Sequence, residues 1–200
     1  AVALRGPDRS DPAWYPMAVA NAVIGGGSGG HLFNEIRNKR GLSYGAYSGL
    51  GTRAGGTVLA ATTQTKNESA VEVVGLVLAQ VDRLTTETVT DQAVTDRESF
   101  VLGGFSRGIE TTGGLGGFIA DTVVLSLPLS EIETYPARLR ATDPAAVAAV
   151  AGQYLGRGRA HVVVVGDAAQ FLDGMRAAYP DLVVIKAEDV DLNAADLGIE

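Results

Sequence analysis

GGGSGGHLFNEIRNKRGLSYGAY, residues 25–47, is the stretch on which the reading of this chain turns. A glycine run leads into a short helix, which Ser28 is placed to cap. Leu32, Phe33 and Ile36 form the apolar face of that helix, and Glu35, Arg37 and Lys39 lie off it. Gly41 stands where helices stop. A strand from Ser43 to Leu50 follows. Arg37 and Tyr44 flank the turn, seven positions apart. One sits near the helix end and the other at the strand start, so both can project from the same edge of a sheet. An arginine offers a rigid fork of donors, and a tyrosine offers a hydroxyl on a stiff arm. Such a pair can bind a carbonyl and support negative charge developing on it. On chemistry alone, a surface arginine beside a half-buried tyrosine remains the more ordinary reading.

Outward from this stretch the elements alternate unevenly. Ala1 to Leu4 reads as a strand, and Asp11-Pro12 as the start of a helix that ends in Gly25-Gly26-Gly27. Gly55 to Gln64 reads as the hairpin partner of the strand at 43–50. Asn67 opens an amphipathic helix through Val71, Val74, Leu78 and Val81. Thr90 caps another, which the glycine cluster Gly113–Gly117 separates from an apolar helix over 118–127. Helices follow after Pro128 and from Asp143-Pro144. Ala160 to Gly166 (AHVVVVG) reads as a strand buried on both faces. A helix over 168–178 and a last strand over Leu182–Lys186 complete the order β-α-α-β-β-α-α-α-α-α-β-α-β. Adjacent strands with clustered helices give an α+β fold, a sheet covered mainly on one face. Residues 1–186 form one domain in this reading, and 187–200 an acidic tail or arm. The opening AVALRG reads as a strand already under way, as in a fragment of a longer or processed protein.

Two hundred residues with 46% hydrophobic and 20% charged side chains describe a globular chain with a real core. A net charge of −7 argues against nucleic acid as a partner. With no cysteine, disulfides, thiolate metal sites and a cysteine nucleophile are excluded. No apolar stretch approaches the roughly 20 residues of a membrane span, and no signal peptide is visible.

Other motifs fail on context. Gly25-x-Gly27-x-x-Gly30 has the letters of a dinucleotide loop, but a helix precedes it and no carboxylate follows near residue 50. It reads instead as a bend between helices. Gly26-Gly27-Ser28-Gly29-Gly30 lacks the strand that a nucleophile elbow needs. His31 and Glu35 share a helix face, yet two ligands do not make a zinc site. His161 reads as a core or edge residue, Glu131 and Glu133 as a solvated turn, and Lys39 and Arg40 as solvated.

The run Leu32-Phe33-Asn34-Glu35-Ile36-Arg37-Asn38-Lys39-Arg40-Gly41-Leu42-Ser43-Tyr44 after three glycines resembles the C-terminal, zinc-free domain of the pitrilysin-type zinc peptidases, peptidase family M16. Ser10-Asp11-Pro12, Tyr135-Pro136 and HVVVVGD are similar as well, so the likeness covers roughly residues 1–170. It implies an α/β roll, a mostly antiparallel sheet with helices on one side. It also implies a partner, a zinc-bearing domain or subunit carrying His-x-x-Glu-His, and a chamber for peptide or unfolded polypeptide. In that chamber Arg37 and Tyr44 hold the substrate backbone and assist the transition state. No metal ligand and no cofactor are expected in this chain, and zinc is expected in the partner domain. The chain would not cleave anything alone. His31 stands where relatives often carry Arg. A bacterial periplasm or envelope is the expected setting, and a homodimer is a further pairing. The rival readings are a structural homologue without peptidase work and an isolated peptide-binding module.

Overall fold

The computed structural model describes residues 1–53, 55–191, 193 and 194. Strands β1 (Val2–Gly6), β2 (Ala46–Arg53), β3 (Gly56–Thr63) and β4 (His161–Val162) form an antiparallel sheet in the order β2-β3-β1-β4. Val2, Leu4, Thr57, Leu59 and Ala61 alternate onto its buried face. Their neighbours, such as Arg5 and Val58, alternate onto a face that stays exposed. This is the one-sided α+β layering expected from the element order.

Helix α1 (Trp14–Gly25) lies at the centre of the covered side. It is apolar nearly all round, with Met17, Val19, Ala20 and Ile24 fully buried, as a helix enclosed on every side must be. Around it pack α2 (Ala70–Thr86), α3 (Asp91–Gly108), α5 (Glu131–Arg140) and α6 (Pro144–Tyr154). Thr90 accepts a hydrogen bond from the Ala93 N–H at 3.2 Å, and Asp143 from the Ala146 N–H at 2.7 Å, so these two caps read from sequence are made, whereas Asn67 opens a 3-10 turn before α2 and caps nothing. Asp11 accepts from Ala13 N–H at 2.8 Å one turn before α1 begins, so it fixes the approach to the helix and does not cap it. Ser28 caps nothing, because it sits inside a 3-10 turn, Gly27–Gly29.

Four expectations are corrected. The cluster Gly113–Gly117 does not interrupt a helix. It lies inside α4 (Thr112–Val124), whose first turn the Thr111 hydroxyl caps by accepting from Gly114 N–H at 3.0 Å. The run Ala160–Gly166 is not a doubly buried strand. Only His161 and Val162 join β1 in the ladder, Val163 exchanges bonds with Ala1, and Val165 is 93% exposed. No strand forms over Leu182–Lys186; this run follows α7 (Leu172–Ala178) as irregular chain, with Val183 and Ile185 exposed. Glu131 is no solvated residue. It is fully buried and accepts from Arg9 at 2.6 Å, from the Tyr15 hydroxyl at 2.6 Å and from Arg138 at 3.3 Å. Arg9 in turn lies 3.9 Å above the Trp14 ring. A buried carboxylate needs such partners, and Glu131 ties the start of α5 to α1 through them. Of the acidic tail expected at 187–200, residues 192 and 195–200 lie outside the described residues.

Two places set the packing of α1. At Gly25 an added Cβ would stand 2.3 Å from the Ser48 backbone nitrogen, so the end of α1 touches β2 backbone to backbone. Behind α1, His31 enters a cavity of about 180 Å³ walled by Val23, Leu84, Val89, Arg83 and Glu87. Its Nδ1 is buried and has no partner among the described residues. Burial first, and Arg83 next, hold its pKa below the ordinary 6.5, with Glu87 opposing.

Gly25→Ala should cost about 3 kcal/mol, because neither backbone has room to retreat. A denaturation midpoint equal to that of the parent would refute the close contact. Below the ordinary pKa of a free histidine the unfolded chain takes up a proton at residue 31 that the folded chain resists. Stability from neutral His31 is therefore complete above about pH 6.5 and is lost as pH falls through the lower folded value. Urea midpoints taken at about pH 7.5 and about pH 5.5 should converge more closely in His31→Gln than in the parent. An equal drop in both proteins would count against this.

Candidate functional site

After Gly25 the chain turns sharply around the end of the sheet. Gly27 has a φ of +69°, in the left-handed region, and an added Cβ on Gly30 would stand 2.8 Å from the Gly25 Cα. The glycine run is thus the bend between helices read from sequence. The segment that follows is wound wide, as a π-helix over Phe33–Asn38 in which the Lys39 N–H reaches the Asn34 carbonyl at 3.0 Å. Short π segments recur at functional sites, where they displace side chains from the ordinary helical register. Past its end the chain reverses at Gly41, with a φ of +63°, and the Leu42 N–H closes back on the Ile36 carbonyl at 2.9 Å. Leu32 and Ile36 are fully buried beneath it, as their spacing predicts.

This geometry brings Arg37 and Tyr44 together. The Arg37 guanidinium lies 4.6 Å from the centre of the Tyr44 ring and 4.8 Å from that of Phe33. Phe33 in turn meets Tyr47 at 5.5 Å between ring centres. The result is a stack of Tyr47, Phe33, Arg37 and Tyr44 running out from the β2 margin of the open sheet face. Tyr44 is 87% exposed. Among the described residues no carboxylate pairs with Arg37, and neither the guanidinium nor the Tyr44 hydroxyl has a hydrogen-bond partner. The one acidic neighbour, Glu35, is occupied: it accepts from Lys39 at 2.5 Å and Arg40 at 2.7 Å. Those bonds hold the Glu35 carboxyl below its usual range. Lys39 and Arg40 are therefore paired with Glu35, while Arg37 keeps its charge and its donors free.

Several supporting residues carry no signal in the sequence. The strand expected from Ser43 begins only at Ala46, because Ser43 to Gly45 form a tight turn. Ser43 Oγ donates to the Gly45 carbonyl at 2.8 Å, and the Thr63 hydroxyl lies 2.9 Å from both Ser43 Oγ and that carbonyl. Thr65 donates to the Leu42 carbonyl at 2.6 Å. A Cβ on Gly45 would stand 2.6 Å from the Tyr47 ring, so glycine there lets that ring lie under the turn. Ser43, Thr63 and Thr65 hold Tyr44 outward. Their partnership depends on the β2–β3 register, which sets Ala46 opposite Thr63.

The histidines do not build a metal centre. His31 faces the cavity behind α1, while the Glu35 carboxylate carries two cations, so the pair is not a shared ligand set. His161 is exposed on the edge strand β4, opposite Ala3. Among the described residues no group of three or more His, Cys, Asp or Glu gathers as metal ligands would. The described residues offer no ligand set that fits a zinc ion. Nor is any helix among the described residues long and apolar enough to cross a membrane.

The sequence of this chain matches known proteins in the same region. The family model "Peptidase M16 inactive domain" matches residues 1–97, which contain the whole stack. A protein of Streptomyces coelicolor, named as an uncharacterized zinc protease, is 28% identical over 158 residues, covering 79% of this chain and 34% of that protein. A second uncharacterized zinc protease, from Mycobacterium leprae, is 32% identical over 108 residues, 52% of this chain and 22% of its own length. This chain thus spans about a third or less of these relatives. Among solved structures, a peptidase M16 inactive domain from Pseudomonas fluorescens superposes with a TM-score of 0.71 at 25% identity, over 80% of this chain and 38% of that one. The roll and these matches agree: residues 1–97 carry the sequence of a peptidase M16 inactive domain, and the fold around them is that of a solved example.

Proposed function

We propose that this domain is the closing half of an M16-type peptide chamber, in which Arg37 and Tyr44 contact the substrate. The observation that carries the proposal is the free guanidinium of Arg37. It is held between two aromatic rings, is not neutralised by Glu35, and stands at the margin of an open sheet face. A fork of donors fixed in this way suits a peptide carbonyl, whose oxygen gains negative charge as the bond is attacked. Stacking limits the orientations of the guanidinium before substrate arrives, so less order is lost on binding. Tyr44 adds a hydroxyl donor beside it, on a ring kept outward by Ser43 and Thr63.

The partner in this reading is a zinc-bearing M16 domain or subunit, and the ligand is peptide or unfolded polypeptide. Zinc in that partner would supply activated water. The present chain contributes binding, orientation and charge support only, and is inert by itself.

With the chain assembled with its zinc-bearing domain, Arg37→Ala should lower peptide turnover about 10²-fold, and Tyr44→Phe about tenfold. Zinc content should stay at the parental value and melting temperature should fall only slightly, since neither polar group has a hydrogen-bond partner among the described residues and Arg37→Ala removes only an exposed stacking contact. Parental turnover in both variants would rule out the substrate role.

A further inference from the structure

The exposed face of the sheet is not uniform. Strand alternation gives it a low centre: Gly49, Ala60 and Ala3 stand side by side in the register of β2, β3 and β1. The next two outward rows bring Arg5 and then Arg53. Both are exposed, and among the described residues neither forms an ion pair. Asp8 is the carboxylate that comes near: a Cβ on Gly56 would stand 3.6 Å from Asp8 Oδ1 and 3.8 Å from the Arg5 guanidinium. Asp8 and Asp11 share a cavity with Arg5 and offset it in part, while Arg53 borders a second cavity with Asp121 and is not ion-paired to it. His161 lies beside Ala3 on the same face. Among the described residues, no outward-facing strand position is acidic, although the chain carries a net charge of −7.

The glycines at the centre are not demanded by packing. A Cβ on Gly49 would meet nothing within 4 Å, and one on Gly51 would meet only the Val58 carbonyl oxygen at 3.9 Å. What glycine does at these positions is keep the surface low, so that another backbone can approach it. Along β2, Arg53 stands six residues beyond Tyr47, at the end of the face opposite the Arg37–Tyr44 stack. In extended chain that separation is about 20 Å.

We propose that this basic end is a subsite for an acidic side chain of an extended polypeptide lying across the glycine floor. The acidic residue would sit about six positions from the peptide bond held at Arg37 and Tyr44. The substrate class is therefore an extended segment bearing Asp or Glu, chosen by charge complementarity to Arg5 and Arg53. This deepens the chamber reading above and rests on it for the position of the reacting bond.

The test is a fluorescence-anisotropy titration of the 200-residue chain with three labelled peptides of equal length, acidic, neutral and basic. At about 50 mM salt the acidic peptide should bind about tenfold tighter than the basic one, and the gap should narrow at about 500 mM. The double variant Arg5→Ser/Arg53→Ser should bring the acidic peptide to the affinity of the neutral one. Arg37→Ala should weaken all three alike, as should Gly49→Val, with melting temperatures little changed. Equal binding of the three peptides would overturn the acidic subsite and leave the chamber reading standing. A charge preference that survives the double variant would overturn it too. Failure of every peptide to bind would overturn the subsite as a property of this chain and leave the chamber reading to the turnover assay. A concentration-dependent dimer that blocks all three would assign the face to a second copy and overturn the subsite.

Discussion

The contact between the Gly25 Cα and the Ser48 backbone is the constraint from which the site follows. Helix α1 is buried on all sides, so its end cannot swing away from the sheet. The helix runs into β2, and only residues without a Cβ allow the chain to pass at that distance. Once past, the chain has nowhere to go but around the sheet margin. That detour sets the π-helix beside β2 with Phe33 against Tyr47 and Arg37 above Tyr44. A helix packed at ordinary distance would leave these side chains on the covered side, away from the open face.

Electrostatics then separates three neighbouring cations. Arg37, Lys39 and Arg40 lie within four positions, and only one carboxylate, Glu35, is at hand. Lys39 and Arg40 come round the helix end to meet it, while Arg37 lies off that side, over Phe33 four residues before it. Aromatic faces attract a guanidinium without occupying its donors in the plane. The arrangement therefore fixes where Arg37 is without using up what it can do.

The legible part of this structure is the local part. Gly41 as a helix stop, Thr90 and Asp143 as caps, and the buried spacing of Leu32 and Ile36 each depend on residues within a turn or two. The proximity of Arg37 and Tyr44 was readable for the same reason. Glu131 was not, because Arg9 and Tyr15 reach it across more than a hundred residues of chain. The turn at Ser43–Gly45 was hidden in the same way, since Thr63 and Thr65 come from another strand. Composition misled at the glycines of α4, where the Thr111 cap and the contact of Phe118 with Phe105 at 5.4 Å support a helix that propensity disfavours. It misled again at the valine runs, because strand propensity reports a fit to a pleated surface and says nothing about whether a neighbouring strand exists.

Those valines have a consequence of their own. Beyond Val163 the backbone of β4 stops pairing while its side chains stay apolar and exposed, with Val163 at 60% and Val165 at 93%. A margin of this composition is a template for adventitious cross-strand growth, which proteins restrain by flanking it with charge or polar groups. Here His161 and Asp167 bracket the run as gatekeepers. β4 and β2 are opposite edges of the sheet, so this margin lies across the sheet from the Arg37–Tyr44 stack. Two strands, β3 and β1, separate that margin from the edge that carries the stack, so a polar substitution at Val163 or Val165 can lower the exposed apolar area without touching Arg37 or Tyr44.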